Sequence, residues 1–74
     1  MSRLPTVTGK QLLRALKQVG FSVSRTHGSH HFLRHPDGRT TTLPIHGSEA
    51  LGPGLLNKIL RDTELSRDEL VNLL

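Results

Sequence analysis

Cysteine, tryptophan and tyrosine are missing from this 74-residue chain, and its only phenyl rings belong to Phe21 and Phe32. Without cysteine no disulfide staples the fold and no thiolate holds a structural zinc ion. A chain of this length buries a modest core, so its stability rests on packing or on a partner. It is read as one domain, residues 1–74. The missing thiols suit a reducing compartment. No apolar run is long enough to cross a bilayer, and Met1 does not lead into a signal-peptide core. The expectation is a cytoplasmic protein with no membrane contact. So few rings argue against a multi-ring platform for single-stranded bases and leave backbone and shape recognition as the modes of RNA contact.

Carboxylates are scarce in the front of the chain. Residues 1–48 contain Asp37 alone, against Arg3, Lys10, Arg14, Lys17, Arg25, Arg34 and Arg39, whereas residues 49–74 are net acidic. The overall formal charge is +4. A basic front with an acidic tail points to a polyanionic partner, nucleic acid being the usual one, although a solvated basic surface accounts for the charge equally well. With one acidic side chain in that half, a two-metal nuclease has no clustered ligands. A Ser-His-Asp triad likewise has no acid near its histidine.

Thr8-Gly9-Lys10-Gln11 has the form of a capping box, and Leu12, Leu13, Leu16 and Val19 follow at helical spacing. Gly20 stands where a left-handed C-terminal cap belongs. A helix is therefore expected over residues 9–19, with Lys10, Arg14 and Lys17 on its polar face as candidate phosphate contacts beside the plainer reading of ordinary solvation. Phe21-Ser22-Val23-Ser24-Arg25-Thr26 alternates as a half-buried strand does, with Phe21 and Val23 inward. A second strand is expected over residues 30–35. The turn Pro36-Asp37-Gly38-Arg39 leads into a third over residues 40–45, whose Pro44 belongs on a sheet edge. A helix starts near Gly52-Pro53-Gly54 and ends near Asp62. Ser66-Arg67-Asp68-Glu69 caps a short third one. The order α-β-β-β-α-α describes an α+β sandwich.

All five histidines lie between His27 and His46. Three readings stand side by side. Zinc binding is one, but His27, His30 and His31 supply at most three ligands from one turn and no cysteine completes a site. Ordinary hydrogen-bonded histidines are another, the default for His27, His35 and His46 taken singly. The third is acid–base work on RNA. RNA carries its own nucleophile, the 2′-hydroxyl, and an imidazole titrating near neutrality moves that proton without metal or carboxylate.

The segments Gln11-Leu12-Leu13-Arg14-Ala15-Leu16, Gly20-Phe21, Gly28-Ser29-His30-His31-Phe32, His35-Pro36, Leu43-Pro44-Ile45-His46 and Gly52 with Leu55-Leu56-Asn57-Lys58-Ile59-Leu60 resemble, in order, those of the HicA toxins, or YcfA-like mRNA interferases. The resemblance covers nearly the whole chain. It implies a double-stranded-RNA-binding-domain-like α-β-β-β-α fold, here with a short extra C-terminal helix. It also implies mRNA cleavage that needs no metal or other cofactor, and inhibition by a HicB-type antitoxin protein. The family's catalytic histidine falls on His30 and its neighbouring glycine on Gly28. Gly28 permits a close backbone approach to phosphate; Ser29 and His31 are candidates for support, and Arg25 and Arg34 for clamping phosphate. Strand parity joins Phe32 to His30 and Leu33 to His31, so one of the two apolar residues faces solvent unless a bulge intervenes. Two other functions fit parts of the sequence. One is a non-catalytic double-stranded-RNA-binding module, against which stands the lack of a lysine-rich start to the second long helix. The other is a zinc-binding regulatory domain built on the histidine cluster.

Overall fold

A computed structural model of the chain describes residues 3–74. Met1 and Ser2, and with them the start of the signal-peptide reading, lie outside the described residues. The element order is α1 (Gly9–Gln18), β1 (Ser22–His27), β2 (His30–Arg34), β3 (Thr40–Pro44), α2 (Pro53–Thr63) and α3 (Arg67–Leu73). This is the expected α+β order with the double-stranded-RNA-binding-domain-like arrangement, and element ends move by one or two residues.

Helix α1 forms where the capping box and apolar spacing require it. The Thr8 hydroxyl accepts from the Gln11 amide at 3.2 Å, and the Gln11 side chain accepts from the Thr8 amide at 2.9 Å. Leu12, Ala15 and Leu16 are buried. The helix stops one residue short of Val19, which becomes its cap. Beyond it, the Phe21 amide donates to the Leu16 carbonyl and the Gly20 amide to that of Lys17, with Gly20 at φ 101. That pair of bonds is a Schellman closure, which favours glycine at the left-handed position.

The three strands form one antiparallel sheet in the order β1-β2-β3. Leu33, Leu43 and Thr41 are buried on one face. All three helices lie on that face, so the sandwich has two layers and the opposite face of the sheet is open. Pro44 ends the edge strand β3, as its missing N–H demands, and the Ile45 amide resumes the ladder by donating to the Ser29 carbonyl at 2.9 Å. Gly9, at the start of α1, meets this end of β3 so closely that a Cβ there would lie 2.8 Å from the Pro44 carbonyl oxygen.

Strict alternation in β1 is broken. Val23 pairs with Leu33 and Arg25 with Phe32, so Ser24 is an extra, bulged residue. Its hydroxyl donates to the Phe32 carbonyl at 3.0 Å. Simple parity puts Arg25 on the inward face of Val23; the bulge turns Arg25 and His27 to the open face instead. Strand β2 has no bulge, and the choice between its apolar residues is made in favour of Leu33, which is buried, while Phe32 is half-buried on the open face.

Helix α2 buries Leu56, Ile59, Leu60 and Thr63. Its tail turns through Glu64, a non-glycine residue at φ 59. Helix α3 has the expected capping box, Ser66 with Glu69. The acidic tail thus completes the core: Leu70 is fully buried, and the Gln18 side chain donates to the Leu73 carbonyl at 3.0 Å.

Candidate active site on the open sheet face

The turn that joins β1 to β2 is the two-residue loop Gly28-Ser29, flanked by the cross-strand pair His27 and His30. Gly28 has φ 60, and Ser29 is not among the positive-φ residues. A positive φ at the first central position alone is the pattern of a type II′ hairpin turn, which takes glycine there. No atom lies within 4 Å of where a Gly28 Cβ would be, so backbone conformation rather than crowding calls for glycine. The turn is also open to an approaching ligand.

From this turn the open face runs along β1 and β2. Cross-strand partners share a face, so His27 stands beside His30, Arg25 beside Phe32 and Ser22 beside Arg34. His27, His30, Arg25 and Arg34 are exposed. The Arg25 guanidinium lies over the Phe32 ring, 4.7 Å from its centroid, which shields the ring and holds the cation in place. A shallow cleft crosses the face between Arg25, Phe32, Arg34 and Thr42 and reaches Lys58 and Asp62 of α2 at the β3 rim. Lys58 went unnoticed as a contributor in the sequence because only the packing of α2 along β3 brings it there. The Lys58 ammonium donates to the Asp62 carboxylate at 2.8 Å and, with the Thr41 hydroxyl at 2.9 Å, holds that carboxyl below its usual range.

The five histidines separate by environment. His31 turns to the other face of β2; its Nδ1 lies 3.1 Å from the Ser29 carbonyl oxygen, so Nδ1 carries the proton in that bond and Nε2 is left over. Ser29 also approaches His46, with Oγ and Nε2 3.5 Å apart. His35 belongs to the far end of β2. Its Nε2 donates to the Val19 carbonyl at 3.0 Å, its Nδ1 accepts from the Asp37 amide at 3.1 Å, and its ring meets Phe21 edge-on at 5.1 Å. The neutral ring satisfies both bonds; the 3.0 Å approach of Nδ1 to the Asp37 carboxylate becomes an ion pair when the ring is protonated. Asp37 is held below the usual carboxylate range, first by the Arg39 amide and then by the Arg39 guanidinium. His35 therefore ties the end of α1 to the β2–β3 turn.

The imidazoles of His27 and His30 make no hydrogen bond or ion pair among the described residues. With His31 behind the sheet from them, the three imidazoles of the turn do not converge, and no group of three or more His, Cys, Asp or Glu among the described residues is placed to hold a metal ion. Lys10, Arg14 and Lys17 are exposed along α1, in the helical layer behind the sheet. They do not join Arg25 and Arg34 in one patch.

The fold and site together define a small two-layer α+β domain of the double-stranded-RNA-binding-domain-like arrangement, with a cationic, histidine-bearing open sheet face. The family model described as HicA toxin of bacterial toxin-antitoxin matches residues 9–65, well over half the chain, and the chain belongs to the HicA toxin family. A search of curated proteins returns no match. Among the described residues no helix is long and apolar enough to cross a membrane.

Proposed function

We propose that this toxin is an endoribonuclease, an mRNA interferase that cuts mRNA by histidine acid–base chemistry centred on His30. The observation that carries this reading is the placement of His30: exposed, without a protein partner, on an open face that also bears Arg25 and Arg34. Family membership supports it. The bound RNA backbone lies across the face, with Arg25 and Arg34 on phosphates and the Gly28-Ser29 turn against the cut linkage. An imidazole removes the proton from a 2′-hydroxyl, O2′ attacks the adjacent phosphorus, and the P–O5′ bond breaks. The products are a 2′,3′-cyclic phosphate and a free 5′-hydroxyl. Lys10, Arg14 and Lys17, in the other layer, attract RNA at longer range. Ser29 and His31 act as turn supports: the Ser29 carbonyl accepts from both His31 and Ile45, fixing the loop that carries His30.

The partner that restrains the activity is a HicB-type antitoxin, and the whole chain works as one cytoplasmic domain. The test in cells is expression of the chain alone, which is expected to arrest growth and deplete mRNA, with growth restored by coexpression of the antitoxin encoded beside it. Normal growth and intact mRNA in the presence of soluble wild-type protein contradict the reading.

A further inference from the structure

Single-histidine catalysis leaves one proton unaccounted for. Cleavage by the 2′-hydroxyl needs a group that takes the O2′ proton and a group that gives one to the departing O5′. We infer that His27 is the second proton carrier and that His27 and His30 act as a pair. This rests on the nuclease reading above and specifies its site.

Four observations select His27. It is the direct cross-strand partner of His30 at the mouth of the hairpin, a position that sets the two Cβ atoms about 4.5–5.5 Å apart on one face. Both imidazoles are exposed, and neither is committed to a hydrogen bond among the described residues. The other three histidines each have a protein atom at a ring nitrogen: Ser29 at His31 and at His46, and Val19 and Asp37 at His35. Finally, His31, the nearest alternative in sequence, is on the opposite face. The Ser24 bulge makes the arrangement possible, because it lets Val23 stay in the core while Arg25 and His27 face outward.

In the forward step one imidazole of the pair, neutral, accepts the 2′-hydroxyl proton as the O2′–P bond forms. The other, protonated, donates to O5′ as the P–O5′ bond breaks. The pair ends with its protonation states exchanged, and solvent restores them; no oxidant, reductant or other co-reactant enters. The charged groups on the pair's face are Arg25 from β1 and, at the far end of β2, Arg34, with the Lys58–Asp62 ion pair of α2 at the β3 rim. Strand β3 presents Thr40, Thr42 and Pro44 on this side, none of them titratable, and His46 approaches the turn at Ser29. A cationic surround of this kind suits the phosphate between the two rings.

The test is the pH dependence of cleavage of one labelled RNA by purified wild type, His27→Gln, His30→Gln and His31→Gln, each checked for native fold by circular dichroism. Wild type is expected to show a bell with two limbs. His27→Gln should lose one limb and about 10²-fold in rate at the optimum, within the range of positioned acid–base groups. His31→Gln should keep both limbs. An RNA with a 5′-bridging sulfur, whose thiolate leaves without protonation, should restore cleavage to whichever of His27→Gln and His30→Gln has lost the acid, and not to the other. A His27→Gln profile with both limbs and a rate within threefold of wild type overturns the pairing while leaving the nuclease intact. A limb lost in His31→Gln instead overturns it in favour of His31. No cleavage by wild type at any pH overturns the nuclease reading itself.

Discussion

Replacing Gly20 by alanine separates the histidine that builds the fold from those assigned to chemistry. Gly20 closes α1 at φ 101, and a Cβ added there would lie 2.7 Å from His35 Nε2 and 3.0 Å from its Cδ2. Two costs follow. A left-handed alanine costs roughly 1–2 kcal/mol. Displacing His35 breaks its bond to the Val19 carbonyl, which is 3.0 Å long and contributes about 0.5–1.5 kcal/mol. Together they come to about 1.5–3.5 kcal/mol, a large part of what a domain of this size has in total. At roughly 4–8 °C per kcal/mol for such a domain, Tm should fall on the order of 10–20 °C. A double-mutant cycle with His35→Ala apportions the loss, because the steric part disappears when the ring is gone and the backbone part stays. The assay is urea and thermal unfolding followed by circular dichroism. His35 stands at the opposite end of β2 from His30, so at a temperature where the variant is folded, cleavage should match wild type. A Gly20→Ala protein as stable as wild type, or a cycle with no coupling between the two positions, refutes this account of His35.

Three further outcomes are expected. Glu64→Gly should raise stability by up to about 1 kcal/mol in urea unfolding, since glycine relieves the left-handed strain at φ 59 and returns part of the gain as backbone entropy; a loss of stability contradicts the strain. Asp37, Asp62 and Glu69 are all held below the usual carboxylate range by donors in the folded state. Their contribution is therefore present above the unfolded carboxylate value, about 4, and is lost as pH falls through the lower folded values; unfolding midpoints that do not decline below about pH 4 contradict it. Arg25→Ala and Arg34→Ala, each on a cleavage-deficient background, should weaken RNA binding across sequences and flatten its salt dependence by about one counterion each; a change in preferred sequence at unchanged salt slope counts against phosphate contact.

Much of the architecture was legible because local signals agreed with the global packing. The capping boxes at Thr8 and Ser66, the apolar spacing of α1 and the His35-to-Arg39 turn each have one strong physical solution. The faces of the sheet were harder. Counting by twos from Phe21 and Val23 sends Arg25 inward, whereas counting from the Gly28-Ser29 turn sends it outward. The two frames differ by one residue, and Ser24 absorbs the difference. A bulge carries little mark in the sequence, so the neighbours of His30 stayed open until the register was known. The cover that Arg25 lays over the Phe32 ring had no sign in the sequence either, because the same register brings the two together. His35 was readable only as one histidine among five, because its bond to Val19 runs 16 positions back along the chain and no local pattern displays that contact.

The central claim is that His30 carries proton-transfer chemistry on RNA, and it is tested most directly by comparing purified wild type with His30→Ala on one labelled RNA, with and without EDTA. Loss of positioned acid–base catalysis costs roughly 10²–10⁴-fold in rate, so His30→Ala should lose most cleavage. Because His30 is exposed at a hairpin mouth and outside the core, the variant should keep its fold and is expected still to bind RNA and the antitoxin. Wild-type cleavage should be unchanged by EDTA, its products should end in 2′,3′-cyclic phosphate, and a 2′-deoxy linkage at the cut site should resist. A fully active His30→Ala contradicts the claim, and cleavage abolished by EDTA moves the chemistry from proton transfer to a bound metal.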